Sequence, residues 1–306
     1  QGSRLSRLQR VAIWDIFDHF RSYLQELGKI EWNDIPALVR QRLEADPPLQ
    51  LPYRTVIVDE TQDLYPEELR LIRAIVSPGS NDLMLVGDAH QRIYSTAPVV
   101  LSQCGIDVRG RSRKLRINYR TTEKIRRWSL GVLQNIGIDD LDGQTDNLSG
   151  YRSLRQGQSP IIKHFPTLAA ERAYIIGQIE QLVVEEDVPP ESICLVFREG
   201  RQADNYKRGL EQAGIPFLYL SRDVNDDDGE GVRLATMHRV KGLEFTHIFM
   251  VGVNEGVLPN RHVLAEDEEA LRERCLLHVA ATRARDTLTI TSYGRPSPFL
   301  AVGNLP

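Results

Sequence analysis

Two adjacent acids that follow an apolar strand are the residues of this chain whose types best suit chemistry. Val56, Ile57 and Val58 form the apolar run, and Asp59 and Glu60 come directly after it. In an α/β sheet, ligands bind outside the carboxyl ends of the strands. One acid could hold Mg²⁺ through its waters, and the next could orient a water for attack on a γ-phosphate. The segment therefore indicates half of a site for nucleotide hydrolysis.

The other half of such a site is missing from the 306 residues. Nucleotide hydrolysis of this kind normally uses a G-x-x-x-x-G-K-[ST] loop, whose backbone cradles the phosphates. The nearest fragments, at residues 28–29 and 241–242, have the wrong order or spacing. We therefore expect a fragment that lacks the phosphate loop. Residues 1–3 favour the same interpretation, because they resemble a cloning remnant.

The composition fits a soluble globular protein of two ordinary domains, with 41% apolar and 26% charged residues. The net charge of -4 means that any nucleic-acid site must be a local basic stripe. Cys104, Cys194 and Cys275 form no metal-spaced pair, and their small number predicts a reducing, cytoplasmic location. No apolar run approaches the roughly 18–20 residues that span a bilayer, so we expect no membrane partner.

Short apolar strands alternate with helices from Arg54 onward, which predicts a mostly parallel sheet with right-handed crossovers. Residues 1 to about 50 show helical spacing and no good strand. The polar stretch from Asp139 to Ser159 is predicted to be a long surface loop. The predicted strands are Thr55–Val58, Leu83–Val86, Lys114–Ile117, Ile161–Phe165, Ile193–Phe197, Phe217–Leu220, Val232–Thr236, His247–Val253 and Leu288–Ser292. The predicted helices cover residues 67–76, 122–134, 168–186, 202–213 and 266–282.

Four further segments place polar groups where strands or helices end. Gln91 follows an apolar strand and could reach a phosphate. Arg120 lies near a predicted helix start, where the helix dipole gives no reason for a cation. Residues 232–245 end a strand in hydroxyl and cationic groups that suit a nucleic-acid backbone. Residues 273–285 form an amphipathic helix that ends in arginines, which stabilise transition-state charge in phosphoryl transfer. Taken singly, each segment also fits a solvated loop, a surface ion pair or a helix end.

Together these segments resemble the UvrD/Rep-like superfamily 1 helicases. DETQD resembles their motif II, GDAHQRIY motif III, INYRTT motif IV, TMHRVKGLEF with the following NEGVLP motif V, and VAATRAR motif VI. The resemblance implies an α/β fold of RecA-like parallel sheets with flanking helices, in which the first RecA-like domain is incomplete. Residues 1–50 would be a helical segment that ends an insertion subdomain. Residues 51–112 would be the partial first domain, and residues 113–306 the second.

The resemblance also implies the roles of individual residues in a nucleotide site between the two domains. Asp59 would coordinate Mg²⁺, and Glu60 would activate the hydrolytic water. Gln91 would sense the γ-phosphate of ATP. Arg120 and Arg283 would be the two arginine fingers, both from the second domain.

A second group of residues is implied to contact the nucleotide sugar or DNA. Glu244 would contact the sugar, Thr236 and His238 would contact the DNA strand, and Tyr94 is assigned to the DNA site. The family usually has a Trp-Arg-Gly run after the position of Tyr94, and residues 95–98 differ from it. Because base stacking contributes about 1–3 kcal/mol per base, we expect weaker DNA engagement or other aromatic contacts.

Two more departures from the family concern its insertions and motif VI. A short acidic turn, Asn225 to Glu230, stands where family members carry a large insertion before motif V. His278 occupies a place where tyrosine is common.

The leading interpretation is an ATP-dependent DNA helicase or translocase of 3′ to 5′ polarity. It would act on single-stranded or partially duplex DNA in DNA repair, with ATP and Mg²⁺ as cofactors and an unidentified protein partner. As a fragment, the chain would be inactive alone. The alternative is a helicase-like binding or regulatory module that does not hydrolyse ATP. The complete set of predicted catalytic residues favours the enzyme, and a helicase–nuclease fusion ranks low.

Overall fold

The computed structural model describes residues 6–45, 49, 51–94, 99–134, 136–138, 150–263 and 268–301. The chain divides into two compact units. The first contains the described residues up to Ala89 together with 99–112 and Tyr94. The second contains His90–Ile93, Arg113–Ile138 and the described residues from 150 onward. The predicted domain boundaries stay a prediction.

The first unit contains three helices and a pair of parallel strands. Helix α1 spans Arg7–Glu26 and α2 spans Ile35–Glu44. Strand β1 (Val56–Val58) pairs in parallel with β2 (Leu83–Leu85), and α3 (Pro66–Ile75) connects them. Because the strands are parallel, the chain leaves both at the same edge of the sheet.

Helix α1 begins with a reciprocal capping arrangement and exposes its apolar side chains. The Ser6 hydroxyl accepts a hydrogen bond from the N–H of Gln9 at 3.3 Å, and the Gln9 side chain accepts one from the N–H of Ser6 at 2.9 Å. No residue of α1 is buried. The exposed apolar side chains include Leu8, Val11, Ile13, Trp14, Ile16, Phe17, Phe20 and Tyr23.

The core of the first unit is small and covers one face of its sheet. Four buried side chains form it: Leu69, Leu101, Cys104 and Ile106. Leu83 and Leu85 of β2 pack against this cluster, while Met84 between them is exposed. Since alternate side chains of a strand point to opposite faces, the second face of this sheet is open.

The second unit is built on a six-stranded sheet in which every pair is parallel. A short pair precedes it, formed by β3 (Ile117–Asn118) and β4 (Arg152–Ser153) on either side of α4 (Glu123–Gly131). The six strands are β5 (Ile161–Phe165), β6 (Ile193–Phe197), β7 (Phe217–Tyr219), β8 (Val232–Thr236), β9 (Phe245–Met250) and β10 (Ala284–Tyr293). Their order is β5-β10-β9-β6-β8-β7.

Three helices flank this sheet, and the central strand is buried along its whole length. They are α5 (Leu168–Glu180), which continues into a π-helical turn at Gln181–Glu185, α6 (Ala203–Gln212) and α7 (Glu268–Ala281). All five residues of β6 are buried, as expected for a parallel strand covered on both faces. The predicted α/β fold of parallel sheets with flanking helices is confirmed.

The predicted surface loop from Asp139 to Ser159 is wrong at two of its described residues. Arg152 and Ser153 form β4, which pairs in parallel with Ile117 and Asn118. Two residues are too few to show an alternating apolar pattern, and the partner strand is distant in sequence. Residues 139–149 lie outside the described residues. The predicted strand Lys114–Ile117 also lies too early, since β3 begins at Ile117.

A fully buried carboxylate connects α5 to two other parts of the second unit. Glu171 accepts hydrogen bonds from the Tyr206 hydroxyl at 2.6 Å and from the N–H of Gly252 at 2.9 Å. Burial, and next the charge of Glu171, raise the pKa of Tyr206 far above its usual range, so the phenol stays a donor. Glu171 therefore fixes α6 and the segment after β9 to the start of α5.

Replacing Tyr206 with Phe tests this connection. The change leaves one oxygen of a buried carboxylate without its donor, so we expect a loss of about 1–3 kcal/mol in the free energy of unfolding. Urea unfolding of wild type and variant measures it. Tyr219→Phe, at a half-buried ring, is the matched control and should cost less than about 0.5 kcal/mol. Equal costs would contradict the role of the Tyr206–Glu171 bond.

A second buried carboxylate, Glu123, fastens β4 to α4. It accepts two hydrogen bonds from Arg126, at 2.9 and 2.6 Å, one from Arg127 at 2.7 Å, and one from the N–H of Ser153 at 2.8 Å. The bond from Arg126 is the largest of the effects that lower the pKa of Glu123 to about 2, against an opposing effect of burial. The ionised form is thus favoured in the folded protein.

The contribution of Glu123 should depend on pH in the acid range. Its pKa is lower in the folded state, so its stabilisation is present above the ordinary value of 4.5 and is lost as the pH falls toward about 2. Glu123→Gln should cost about 2–3 kcal/mol near pH 7 and clearly less near about pH 3. Denaturant unfolding at both pH values measures this. The control Asp204→Asn, at an exposed carboxylate, should change the stability little at either pH; a pH-independent cost of Glu123→Gln would contradict the assignment.

Candidate functional site

The first unit presents Asp59 and Glu60 at the end of β1, with both side chains exposed. The Asp59 carboxylate accepts a hydrogen bond from the N–H of Glu60 at 2.8 Å. Glu60 has a left-handed backbone, with φ 52° and ψ 37°, which is uncommon for a residue other than glycine. Residues held in such conformations cluster at functional sites. The backbone thus supports the functional interpretation of this acid pair.

The turn that carries the acid pair is bound to the end of β2. The N–H and hydroxyl of Thr61 both donate to the carbonyl of Val86, at 3.0 and 2.9 Å. The buried Gln62 accepts from the N–H of Asp88 at 2.9 Å and donates to the Glu60 carboxylate. Gln62 therefore orients Glu60 and joins motif II to motif III. Sequence reasoning gave Gln62 no role, because nothing in the sequence signals its burial between these turns.

In the second unit, the structure brings together Arg120 and Glu244, which the sequence places in different motifs. Arg120 Nε donates to Glu244 Oε2 at 2.7 Å, and the two side chains are 41% and 44% exposed. Arg285 Nη1 lies 3.6 Å from the other oxygen of Glu244. Since a pair this exposed is worth little in stability, its members can exchange partners for a ligand at small cost.

Arg283 and Gln91 also meet within the second unit. Arg283 is buried at the end of α7, where its Nε donates to the carbonyl of Val279 at 3.1 Å. Its Nη2 donates to Gln91 Oε1 at 3.2 Å. Lys241 Nζ donates to the backbone carbonyl of Gln91 at 3.1 Å. Three motifs thus contribute cationic or amide groups to one place, and Lys241 was not among the predicted site residues.

The pairing of β9 with the start of β10 positions the backbone on both sides of this site. Phe245 pairs with Ala284, and the N–H of Phe245 donates to the carbonyl of Arg283 at 3.0 Å. The register of β10 against β9 then shifts before Thr287, which marks a β-bulge. Bulges re-aim side chains and are frequent next to active sites. Glu244 immediately precedes Phe245, and Arg283 immediately precedes Ala284. Both residues therefore lie at the amino ends of their strands, on either side of the same pairing.

The predicted DNA residues Thr236 and His238 lie at the opposite, carboxyl end of β8. The Thr236 hydroxyl accepts a hydrogen bond from the N–H of Arg239 at 3.3 Å. Burial, and next the charge of Arg198, lower the pKa of the half-buried His238, while Glu273 acts in the other direction. His238 is therefore a neutral imidazole near pH 7, with one donor and one acceptor.

Two arginines hold the acidic turn that precedes β8. Arg239 donates to the carbonyls of Ser221 and Val224, at 2.9 and 3.2 Å. Arg233 Nε donates to Asp226 Oδ1 at 2.6 Å. The predicted short acidic turn is thus an ordered part of the second unit. Arg239, one of the cationic residues of the segment 232–245, thus binds protein carbonyls.

Two other predicted positions have different surroundings. Tyr94 has an exposed ring, and residues 95–98, where the family pattern changes, lie outside the described residues. His278 is buried, its Nδ1 lies 3.1 Å from the carbonyl oxygen of Ser129, and its ring centre lies 6.3 Å from that of His90. The residue at the usual tyrosine position is therefore part of the contact between α7 and α4.

The donors present fit a magnesium nucleotide rather than a metal held by protein alone. Mg²⁺ usually takes one or two carboxylates together with water and substrate phosphates, which Asp59 and Glu60 match. Within the described part of the chain, no group of three or more His, Cys, Asp or Glu could hold a metal ion. Within the second unit, Arg120, Arg283 and Lys241 are cations of the kind that bind phosphates.

The cysteines bear on the predicted location of the protein, and the helices bear on whether it could span a membrane. The three cysteines are buried, and none of them forms a disulfide bond. The cytoplasmic location that their number predicted stays a prediction. Among the described residues, none of the helices combines the length and the apolar composition that a membrane-spanning segment needs.

Comparison with known proteins finds helicase relatives along most of the chain. A "Probable DNA helicase" of Mycoplasma pneumoniae is 27% identical over 80% of this chain and 46% of its own length. The "ATP-dependent DNA helicase UvrD2" of Mycobacterium tuberculosis is 24% identical over 94% of this chain and 55% of its own length. The chain thus spans about half the length of these relatives. A solved C-terminal domain of a possible DNA helicase from Lactobacillus plantarum matches with a TM-score of 0.44 and 21% identity, covering 61% of this chain and 94% of that domain.

Family models match both units. Residues 3–96 match the UvrD/REP helicase N-terminal domain. Residues 113–224 and 218–295 match the UvrD-like helicase C-terminal domain, which alone covers more than half of the chain. The resemblance that the order of the motifs predicted is confirmed, and the chain belongs to the UvrD-like helicase family.

Proposed function

We propose that this chain belongs to an ATP-dependent DNA helicase that moves 3′ to 5′ on single-stranded DNA, in a repair pathway. The observation that carries the proposal is the meeting of Arg283, Gln91 and Lys241 beside the pair of Arg120 and Glu244. These groups come from four motifs and together suit a triphosphate and its sugar. The names of the relatives point to the same reaction class.

The second unit would stabilise charge during phosphoryl transfer, which depends mainly on positioning and electrostatics. The buried Arg283 is held by the carbonyl of Val279, so its guanidinium would reach a γ-phosphate with little freedom to lose. Arg120 would leave Glu244 for the phosphates, and the freed Glu244 carboxylate would accept a hydroxyl of the sugar.

The first unit would contribute the metal and water positions. Asp59 would hold Mg²⁺, which neutralises phosphate charge when bound. Glu60 would orient the attacking water, with its carboxylate aligned by Gln62. Glu60 adopts its left-handed backbone directly after β1, so its side chain lies at the end of the strand.

Motif V offers a physical link between DNA and nucleotide. Thr236 ends β8, while Glu244 immediately precedes β9, so residues 237–244 return from the carboxyl edge of the sheet to its amino edge. Backbone bonds from Val240 to Thr236 at 3.2 Å and from Leu243 to Val240 at 3.0 Å stiffen this return. A shift at the proposed DNA contacts would therefore move the proposed sugar contact.

The second candidate is a helicase-like module that binds or regulates without hydrolysis. The 306-residue sequence contains no G-x-x-x-x-G-K-[ST] loop. Such a module would bind DNA or a partner through the same surfaces, and its acid pair would have no catalytic task.

ATP hydrolysis stimulated by single-stranded DNA separates the two candidates. We expect little turnover by the 306-residue chain alone, because the phosphate loop is missing from it. In the natural gene product, Glu60→Gln and Arg283→Ala should each lower kcat by about 10²–10³-fold, with DNA affinity unchanged. Arg201→Ala, at an exposed arginine, is the control. A gene product that binds DNA but never hydrolyses ATP would support the module. Turnover by the 306-residue chain that Glu60→Gln abolishes would contradict the first expectation.

The neutral state of His238 predicts how DNA binding responds to pH and salt. Because its pKa is lowered from the ordinary 6.5, protonation of His238 should change affinity for a single-stranded oligonucleotide little between about pH 7 and 8. His238→Ala should weaken binding about 5–10-fold through one lost hydrogen bond, with an unchanged dependence on salt. Fluorescence anisotropy measures both, and His262→Ala is the control. A salt slope reduced by about 1 would mean that His238 acts as a cation.

A further inference from the structure

Residues 152–157, here called the clasp, lie along motif IV and complete the start of α4. The N–H of Glu123 donates to the carbonyl of Arg155 at 2.7 Å, and the N–H of Lys124 donates to that of Gln156 at 3.2 Å. The first N–H groups of a helix have no partner within the helix. The clasp supplies two of these partners, so its backbone position is fixed relative to motif IV.

A glycine allows the clasp to approach motif IV closely. Gly157 has φ +65°, and a Cβ atom there would lie 2.3 Å from the Cβ and Cγ2 atoms of Thr122. Any side chain would collide with Thr122, and the backbone conformation itself favours glycine. The clasp and motif IV are therefore in direct contact immediately after Arg120.

The side chain of Arg155 leaves the clasp and joins motif IV to motif VI. Its Nη2 donates to the carbonyl of Arg120 and to the carbonyl of Arg285, both at 3.0 Å. Its Nη1 donates to the carboxylate of Asp286. One planar guanidinium thus contacts the backbone of one predicted finger and the chain that follows the other.

Arg285 and Asp286, the other partners of Arg155, lie where the register of β10 against β9 shifts. Relative to β9, β10 has one additional residue between Ala284 and Thr287, and Arg285 and Asp286 lie there. A bulge interrupts the ladder and leaves a residue without its regular partner. Arg155 binds the carbonyl of Arg285, so it stabilises the bulge that directs these side chains.

We propose that Arg155 is a positioning residue that sets the separation of Arg120 and Arg283. The inference rests on the proposed function, in which these two arginines are the fingers. Arg155 binds the carbonyl of Arg120 itself. It acts on Arg283 through the carbonyl of Arg285, two positions later in the chain. A guanidinium presents its donors in a rigid fork, which a lysine cannot reproduce. A misplacement of about 1 Å at a catalytic group can lower a rate about 10²-fold.

The surroundings of Arg155 allow a positioning role to be distinguished from a general contribution to stability. The side chain is 47% exposed, so its loss leaves no void in a core. An open surface depression of about 310 Å³ lies beside it. The residues that line this depression are Thr122, Arg155, Gly157, Gln158, Asp286 and Thr287.

Arginine side-chain NMR of the 306-residue protein tests the geometry directly. The Nε–H of Arg120, bonded to Glu244 at 2.7 Å, should exchange with solvent about tenfold faster in both Arg155→Gln and Arg155→Lys. The Nε–H of Arg126, bonded to Glu123, is the internal reference and should not change. Arg152→Gln, at an exposed arginine of the same clasp, is the matched control and should leave both signals as in wild type.

Kinetics of the natural gene product test the consequence. Arg155→Gln should lower kcat about 10–100-fold, while KM for ATP changes less than about threefold. Arg152→Gln should leave both unchanged. Unchanged exchange of Arg120 in Arg155→Gln would overturn the proposal, and so would equal acceleration at Arg120 and Arg126, which indicates general loosening. If wild type hydrolyses no ATP, the proposed function fails, while the exchange data still decide whether Arg155 positions Arg120.

Discussion

The pairing of β9 with β10 at Phe245 and Ala284 is the constraint on which the candidate site depends. Glu244 and Arg283 immediately precede these two residues, so parallel register alone brings motif V and motif VI together. A slip by one residue would send every side chain of a strand to the other face of the sheet. β9 also pairs with β6, whose five residues are all buried, so a slip of β9 would disturb the centre of the sheet as well. The chemistry of the surface thus rests on the packing of the sheet.

Two buried carboxylates fix the segments that surround the sheet. Glu171 holds the N–H of Gly252 after β9, and Glu123 holds the N–H of Ser153 in β4. In both cases an ionisable side chain on a helix fixes the backbone of a neighbouring segment. Charge-assisted bonds to backbone are short and directional, so they define position more sharply than apolar contact does. The segments that surround the site are located by these bonds, whereas the sheet beneath them is held by hydrophobic burial.

The sequence predicted the parts of the molecule that local pattern encodes. The strands Ile161–Phe165, Ile193–Phe197 and Val232–Thr236 occur as predicted, because five consecutive residues suffice to show a strand between turns. The order of the motifs predicted the family for a similar reason, since each motif carries its own chemistry. Arg155 and Gln62 were missed, because their importance arises from tertiary neighbours: a bulge far along the chain for one, and a carboxylate orientation for the other. Polar residues in short irregular segments carry no local sign of such partners.

The left-handed backbone of Glu60 favours a residue type that lacks a carboxylate, whereas the proposed role of this residue needs one. Glycine would adopt this conformation without strain, and asparagine nearly so. Either would relieve the first unit of a local cost of about 1 kcal/mol. Neither carries the carboxylate that Gln62 aligns. Backbone strain therefore favours glycine or asparagine at position 60, whereas the proposed orientation of the attacking water requires the glutamate that is present there.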